Sequence, residues 1–337
     1  MNALIKPRKL SVGDTVATIS ISGGRAGDPD MIERYRVGKS RLENIFGLKV
    51  IETPNALMGS DFLYRNPKVR ADDLTYALLN PEIHAIITNM GGDDSYRLLP
   101  YMDYEVIRNN PKIYIGFSDI SSSINMFTYA GVSSFYGPSL LTPIAQPVEL
   151  DEYTIKWMKK VLFSDEVIGN IPACEMHTPI EWVKTKREEI IWTENTGYEV
   201  FQGKGKVTGR LIGGCGGPLR QMMGTCVFPT PDMWKDSIIF LECPSPYGGI
   251  SGLHELRAFA ATGMFRLAKG MICAYMGEDD KKNLAKVIRE EEGLYDLPIL
   301  LNLDFGHRTP MTILPVGAMA EIDCDIGRFS ILESGVI

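Results

Sequence analysis

Read for its hydrophobic rhythm, the first half of the chain alternates short β-branched runs with longer amphipathic stretches, the pattern of a parallel sheet covered by helices. The runs at Thr15 to Ile21, Leu48 to Glu52, His84 to Thr88 and Lys112 to Ile115 predict strands. Between them, Asp28-Pro29 and Asn66-Pro67 each offer a capping side chain followed by proline, so helices are expected from there to about Phe46 and Leu79. Further helices are expected after Ser118, through Ile120, Ile124 and Phe127, and over Glu152 to Leu162.

From about Pro172 to Gly205 this rhythm dissolves into a mixed segment with Trp182, Trp192 and a charged run from Lys184 to Glu189. Beyond it, shorter β-type runs return at Val207 to Ile212, Ser237 to Leu241, Gly270 to Tyr275, Ile299 to Leu303 and Ala318 to Ile322. Helices are expected near Leu253 to Ala261 and Lys281 to Glu291. The expected organisation is therefore an α/β amino-terminal domain over 1–168, a connecting segment over 169–205 with a candidate substrate-binding loop, and a smaller mixed, β-rich domain over 206–337.

Composition narrows the possibilities. A chain of 337 residues exceeds what one hydrophobic core usually serves, and 45% hydrophobic with 23% charged residues is ordinary for a soluble globular protein. A formal net charge of -7 without a basic run argues against binding a nucleic-acid polymer or an anionic membrane surface. The first residues lack an apolar leader core, and no stretch reaches the roughly 18 apolar residues of a membrane span, so a cytoplasmic protein is expected. The six cysteines are scattered without metal-ligand spacing and are read as buried reduced thiols, so no metal site is signalled. Cys215 and Cys243 stand near the motifs below, where a thiol could also serve as nucleophile.

The strongest candidate for chemistry is Ser118, which follows the apolar run Ile113-Tyr114-Ile115 and precedes a helical pattern. A strand-to-helix turn can hold a hydroxyl over the sheet edge, with the Asp119 N–H as an oxyanion donor, although a serine there also suits a helix cap. Gly116 matches the hydrolase elbow G-x-S-x-G, but Ile120 replaces its second glycine. Met90-Gly91-Gly92-Asp93-Asp94-Ser95 follows another strand, and its paired glycines let backbone approach a ligand or simply turn a loop. The run Gly213 to Gly217 lacks the spacing of a phosphate-binding loop and reads as packing.

Of four histidines, His84, His177 and His254 have easy structural readings, whereas His307 stands in a glycine-flexed loop just past a strand end, where it could present its imidazole to a neighbouring domain or only decorate the surface. Glu242 closes Ser237-Ile238-Ile239-Phe240-Leu241, a run too apolar to carry a charge without a partner, unless the glutamate only marks the exit to solvent. Such a carboxylate could orient an imidazole.

Together these residues resemble the LD-carboxypeptidase family (serine peptidase family S66), including its microcin C immunity branch. The resemblance rests on Gly13-Asp14-Thr15, Phe62 to Pro67, Gly91 to Arg97, Gly116-Phe117-Ser118-Asp119, Leu211 to Gly214, Phe240-Leu241-Glu242 and Asp304 to His307, in the family's order across nearly the whole chain. It implies a flavodoxin-like parallel-sheet amino domain with a nucleophile elbow, a β-rich carboxyl domain, and a catalytic triad of Ser118, Glu242 and His307. Gly92 and Asp119 would supply the oxyanion hole, and Gly91, Asp93, Trp182 and Trp192 would contact substrate. No metal or organic cofactor is implied, and a homodimer is.

The Asp93-Asp94-Ser95 form of the glycine loop and the two tryptophans look more like the immunity branch, which cleaves the bond joining an aspartyl peptide to a nucleotide. The alternative is release of D-alanine from murein tetrapeptides, and a more distant one is an α/β-hydrolase esterase. The family's Pro-Ser after the first strand is here Ile19-Ser20-Ile21-Ser22, which alters contacts from that loop.

Overall fold

The computed structural model describes residues 3–180, 189–242 and 250–337. Five parallel strands, β1 (Thr15–Ile19), β2 (Lys49–Glu52), β3 (Ile83–Thr88), β4 (Ile113–Gly116) and β5 (Phe135–Tyr136), form the first sheet in the order 2-1-3-4-5. That is the flavodoxin-like order, which places a topological switch point between β1 and β3. The loops after β1 and β3 therefore open a crevice at the carboxyl edge, and Ser118 leaves β4 beside it.

Later strands are β6 (Gly169–Asn170), β7 (Met176–Pro179), β8 (Thr193–Glu194), β9 (Glu199–Gln202), β10 (Lys206–Cys215), β11 (Ser237–Glu242), β12 (Gly270–Ala274), β13 (Ile299–Leu303), β14 (Arg308–Thr309), β15 (Leu314–Pro315), β16 (Met319–Asp323) and β17 (Arg328–Ile331). The second sheet runs β6-β17-β16-β10-β11-β12-β13-β9, with a parallel centre β10 to β13 and antiparallel flanks. β11, β12, β13 and the second half of β10 are almost wholly buried, as strands covered on both faces must be. β15 crosses back to pair antiparallel with β5 in the first sheet, so the two sheets share one continuous hydrophobic core. β14, β7 and β8 make a small third sheet. No helix among the described residues is long and apolar enough to cross a membrane.

The helices follow the amphipathic pattern closely where local signals decide. Glu152–Leu162 coincides with the expected span, and Asp151 caps it by accepting from the Tyr153 amide at 2.8 Å. The first expected cap differs: the helix begins at Ile32, because the Asp28 carboxylate is taken by the Ser60 amide and hydroxyl at 2.8 and 2.6 Å. Pro67 does stand at the first position of the helix Pro67–Leu79, but Asn66 donates to the Phe62 carbonyl instead of capping.

Candidate active site

Ser118 sits directly beyond β4 with φ of 63°, a left-handed backbone that costs a residue bearing a β-carbon roughly 1–2 kcal/mol. Such strain persists only where surrounding structure enforces it. The helix-cap alternative fails here, since Phe117 occupies the capping position and makes no side-chain cap. Two contacts hold the turn. The Ser118 N–H donates to the Tyr136 hydroxyl at 3.1 Å, and Gly91 lies flat against the serine. A β-carbon on Gly91 would stand 2.9 Å from Ser118 Cβ and 3.1 Å from Oγ, so only glycine lets the two loops meet. The Asp119 N–H belongs to the first helical turn, where no intrahelical acceptor exists.

Glu242 ends β11 and is 2% exposed. Its Oε1 accepts from both the backbone N–H and Nδ1 of His307, and its Oε2 accepts from the Tyr136 hydroxyl. The carboxylate thus has three donors, which is how a charge is tolerated at that depth. Gly306, with φ of 85°, is the hinge that lets the loop wrap this carboxylate, since a β-carbon there would be 2.2 Å from Oε1. The His307 ring packs edge-on against Phe117, with centroids 5.2 Å apart. Burial opposes an imidazolium, but the charge and hydrogen bond of Glu242 outweigh it and hold the His307 pKa above the ordinary value. Nε2 has no hydrogen-bond partner among the described residues and sits on a side chain 46% exposed. Ser118 Oγ and His307 are not hydrogen-bonded; serine and imidazole are joined through Phe117 on one side and through Tyr136 and Glu242 on the other. Catalytic bonds of this kind often close only when substrate binds.

The glycine loop is braced from beneath. The Asp119 carboxylate accepts from the Ser95 amide at 2.8 Å and from the Ser22 hydroxyl, while Ser95 Oγ donates to the Asp119 carbonyl at 2.7 Å. Burial pushes the Asp119 carboxyl upward, and the bonds from Ser22 and Ser95 oppose that. Arg70, fully buried, pairs with Asp94 at 2.7 and 3.1 Å and donates to the Ile21 and Ser22 carbonyls. Gly92 packs on Ser22 and Gly23, and Asp93 is exposed at the loop's tip. So the loops after β1, β3 and β4 form one hydrogen-bonded unit around the serine.

Trp182 and Cys243 lie outside the described residues. Trp192 is half-buried on a cavity of about 770 Å³, shared with Asp151, Tyr153, Lys156, Cys174 and Pro310. Ser118, Glu242 and His307 do not line it; the connection runs through Pro310, three residues past the histidine. Asp304 anchors that histidine loop by accepting from the Cys174 N–H at 2.7 Å, the Asn195 amide at 3.0 Å and the Tyr153 hydroxyl at 3.1 Å. Among the cysteines, Cys226 is exposed, contrary to the expectation of burial, because it lies on the turn after the helix Gly216–Gln221. Tyr136 is the neighbour of the site that sequence reading passed over, whereas Cys215, weighed there as an alternative nucleophile, lies buried beside Glu242, and both burial and that carboxylate push its thiol pKa up. The clue to Tyr136 is a polar hydroxyl inside an otherwise apolar two-residue strand.

Two sheets presenting their carboxyl edges to each other, with a strained serine on one and a Glu-His pair on the other, define a hydrolase-like architecture. The model of the LD-carboxypeptidase N-terminal domain matches residues 16–137 and that of the C-terminal domain matches 208–322; the chain belongs to the LD-carboxypeptidase family. A Vibrio cholerae protein named as a carboxypeptidase is 28% identical, with 99% of each chain covered. The microcin C7 self-immunity protein MccF of Escherichia coli is 29% identical, covering 96% of this chain and 94% of its own. Among solved structures, an MccF-like protein from Streptococcus pneumoniae in complex with AMP superposes with a TM-score of 0.84 at 27% identity, covering 95% of this chain and 98% of that one. This protein is accordingly a carboxypeptidase-type serine hydrolase.

Proposed function

We propose that this enzyme cleaves an amide-type bond at the carboxyl end of a small peptide or peptidyl nucleotide, in the manner of the microcin immunity proteins, through Ser118, His307 and Glu242. His307 Nε2 takes the Ser118 proton as Oγ attacks the substrate carbonyl, and the N–H groups of Gly92 and Asp119 receive the oxyanion. The imidazolium returns that proton to the leaving amine. Water, deprotonated by His307, then releases the acid and restores the serine. Glu242 stays ionised and fixes His307 with Nδ1 as donor.

The observation that carries this reading is the chain of contacts from the Glu242–His307 pair through Tyr136 to the amide of a left-handed Ser118. The AMP bound by the pneumococcal relative supports a nucleotide-bearing substrate, and Trp192, on its cavity past Pro310, would stack on the base or line the approach. Gly91, packed against Ser118, and Asp93 on the same loop after β3 are assigned to substrate contact, and Trp182 is assigned with Trp192. The proposal takes 1–168 and 206–337 as the two domains, joined by 169–205, and the protein as a cytoplasmic homodimer needing no cofactor. The family's own description favours a second reading, release of D-alanine from a murein tetrapeptide.

Parallel hydrolysis assays on a murein tetrapeptide and an aspartyl-nucleotide conjugate decide between them. Ser118→Ala is expected to lose about 10⁴- to 10⁶-fold in kcat on the true substrate, and Trp192→Ala to weaken the nucleotide reaction alone. Full activity of Ser118→Ala on both compounds would refute the assignment.

A further inference from the structure

Cys215 is the last residue of β10 and stands in register with Glu242, the last residue of β11. Register partners on adjacent parallel strands project from the same face, so sulfur and carboxylate share one side of the sheet edge. The Cys215 amide is pinned by the Ser121 hydroxyl at 2.8 Å, and the side chain is buried, which fixes the sulfur's place. His307 arrives over the same carboxylate from the loop after β13. One donor atom from each of Cys215, Glu242 and His307 lies within 4.8 Å of the other two.

A thiol sulfur, a carboxylate oxygen and an imidazole nitrogen are the donor types of a zinc site with three protein ligands and an open fourth position. Zinc bond lengths of about 2.0 to 2.3 Å place tetrahedral donors roughly 3.3 to 3.7 Å apart, so the Glu242–His307 hydrogen bond must open for the ion to enter between its partners. The sulfur is what discriminates, because a thiolate selects zinc-like cations over magnesium or calcium. Cys215 and Glu242 form a buried floor while His307 is half-exposed, so a cation can enter past the imidazole and keep a water there.

We propose that Cys215, Glu242 and His307 bind a thiophilic divalent cation of the Zn²⁺ class, and that this binding switches the hydrolase off. The thiol proton goes to solvent as the Zn–S bond forms. His307 turns Nδ1, the nitrogen already facing Glu242, to the metal and carries its proton on Nε2. An imidazole in that state cannot accept a proton from Ser118, and no oxidation or reduction is involved. The inhibitory consequence rests on the function proposed above; the binding itself does not.

The test separates the two. The full chain, freed of metal with a chelator, is titrated with Co²⁺ while the thiolate-to-cobalt charge-transfer band is followed, then with Zn²⁺ to displace it. The wild type is expected to show one site, and Cys215→Ala and Cys215→Ser to lose the band while keeping the native circular dichroism spectrum. In parallel, hydrolysis is measured against Zn²⁺, each protein relative to its own metal-free rate. The midpoint of inhibition should rise at least about 10- to 100-fold in both variants. Absence of the band in the wild type, or its retention in the folded Cys215 variants, overturns the site. A cobalt band without zinc inhibition overturns the switch and leaves the site standing.

Discussion

The Tyr136 hydroxyl touches no substrate in the proposed mechanism, yet among the described residues it is the group that contacts both the Ser118 amide and the Glu242 carboxylate. Tyr136→Phe deletes this single oxygen and keeps the ring, whose packing against Phe240 and Phe305 at 5.4 and 6.0 Å should survive. The residue is fully buried, so water cannot take the hydroxyl's place. A hydrogen bond to a charged group is worth about 1.5 to 3 kcal/mol. If the loss falls on the transition state, kcat drops about 10- to 150-fold, because each 1.36 kcal/mol is tenfold. KM should stay within about threefold, since uniform substrate binding is untouched. Burial, and after it the negative charge of Glu242, push the Tyr136 pKa well above its ordinary value, so the hydroxyl remains a donor across the working range and the loss should not vary with pH. The assay is steady-state kinetics of both proteins on the substrate identified by the paired hydrolysis test, with thermal unfolding as a check on folding. A folded Tyr136→Phe enzyme with kcat within a factor of about two of wild type would refute the positioning role.

Two further outcomes follow from the same geometry. Glu242 is what holds the His307 pKa above the ordinary value against burial, and the base must be neutral, so wild-type kcat/KM should fall on the acid side with a limb above about pH 6.5. In Glu242→Gln only the burial effect remains, and the limb should move to lower pH while the plateau drops; an unmoved limb in the pH profile would contradict the pairing. Gly306→Ala would force a β-carbon to 2.2 Å from Glu242 Oε1 at a left-handed φ. Backbone strain alone costs about 1 to 2 kcal/mol, so the unfolding temperature should drop, and a shift of the His307 loop by about 1 Å should lower kcat roughly 100-fold; an active, equally stable variant would show that the loop can relax.

Much of this protein was legible from local pattern. The alternation of β-branched runs and amphipathic stretches marked the parallel sheet, the helix Glu152–Leu162 matched its expected span, and the turn after Ile115 marked Ser118. Glu242 and His307 stood out because a charge ending an apolar strand and an imidazole in a glycine-flexed loop are locally anomalous. Other features depended on residues far along the chain. Asp28 gave up its expected cap to Ser60, 32 positions away, and β5 is too short for periodicity to reveal. Tyr136 meets Glu242 across 106 residues, and His307 meets it across 65. Cys215 joins them only because β10 and β11 pair in one particular register. Helix and strand signals arise between residues within about four positions, where backbone geometry alone sets the spacing. Which donor reaches a buried carboxylate is settled by how the two sheets close on each other, and that closure is written in no single stretch of the chain.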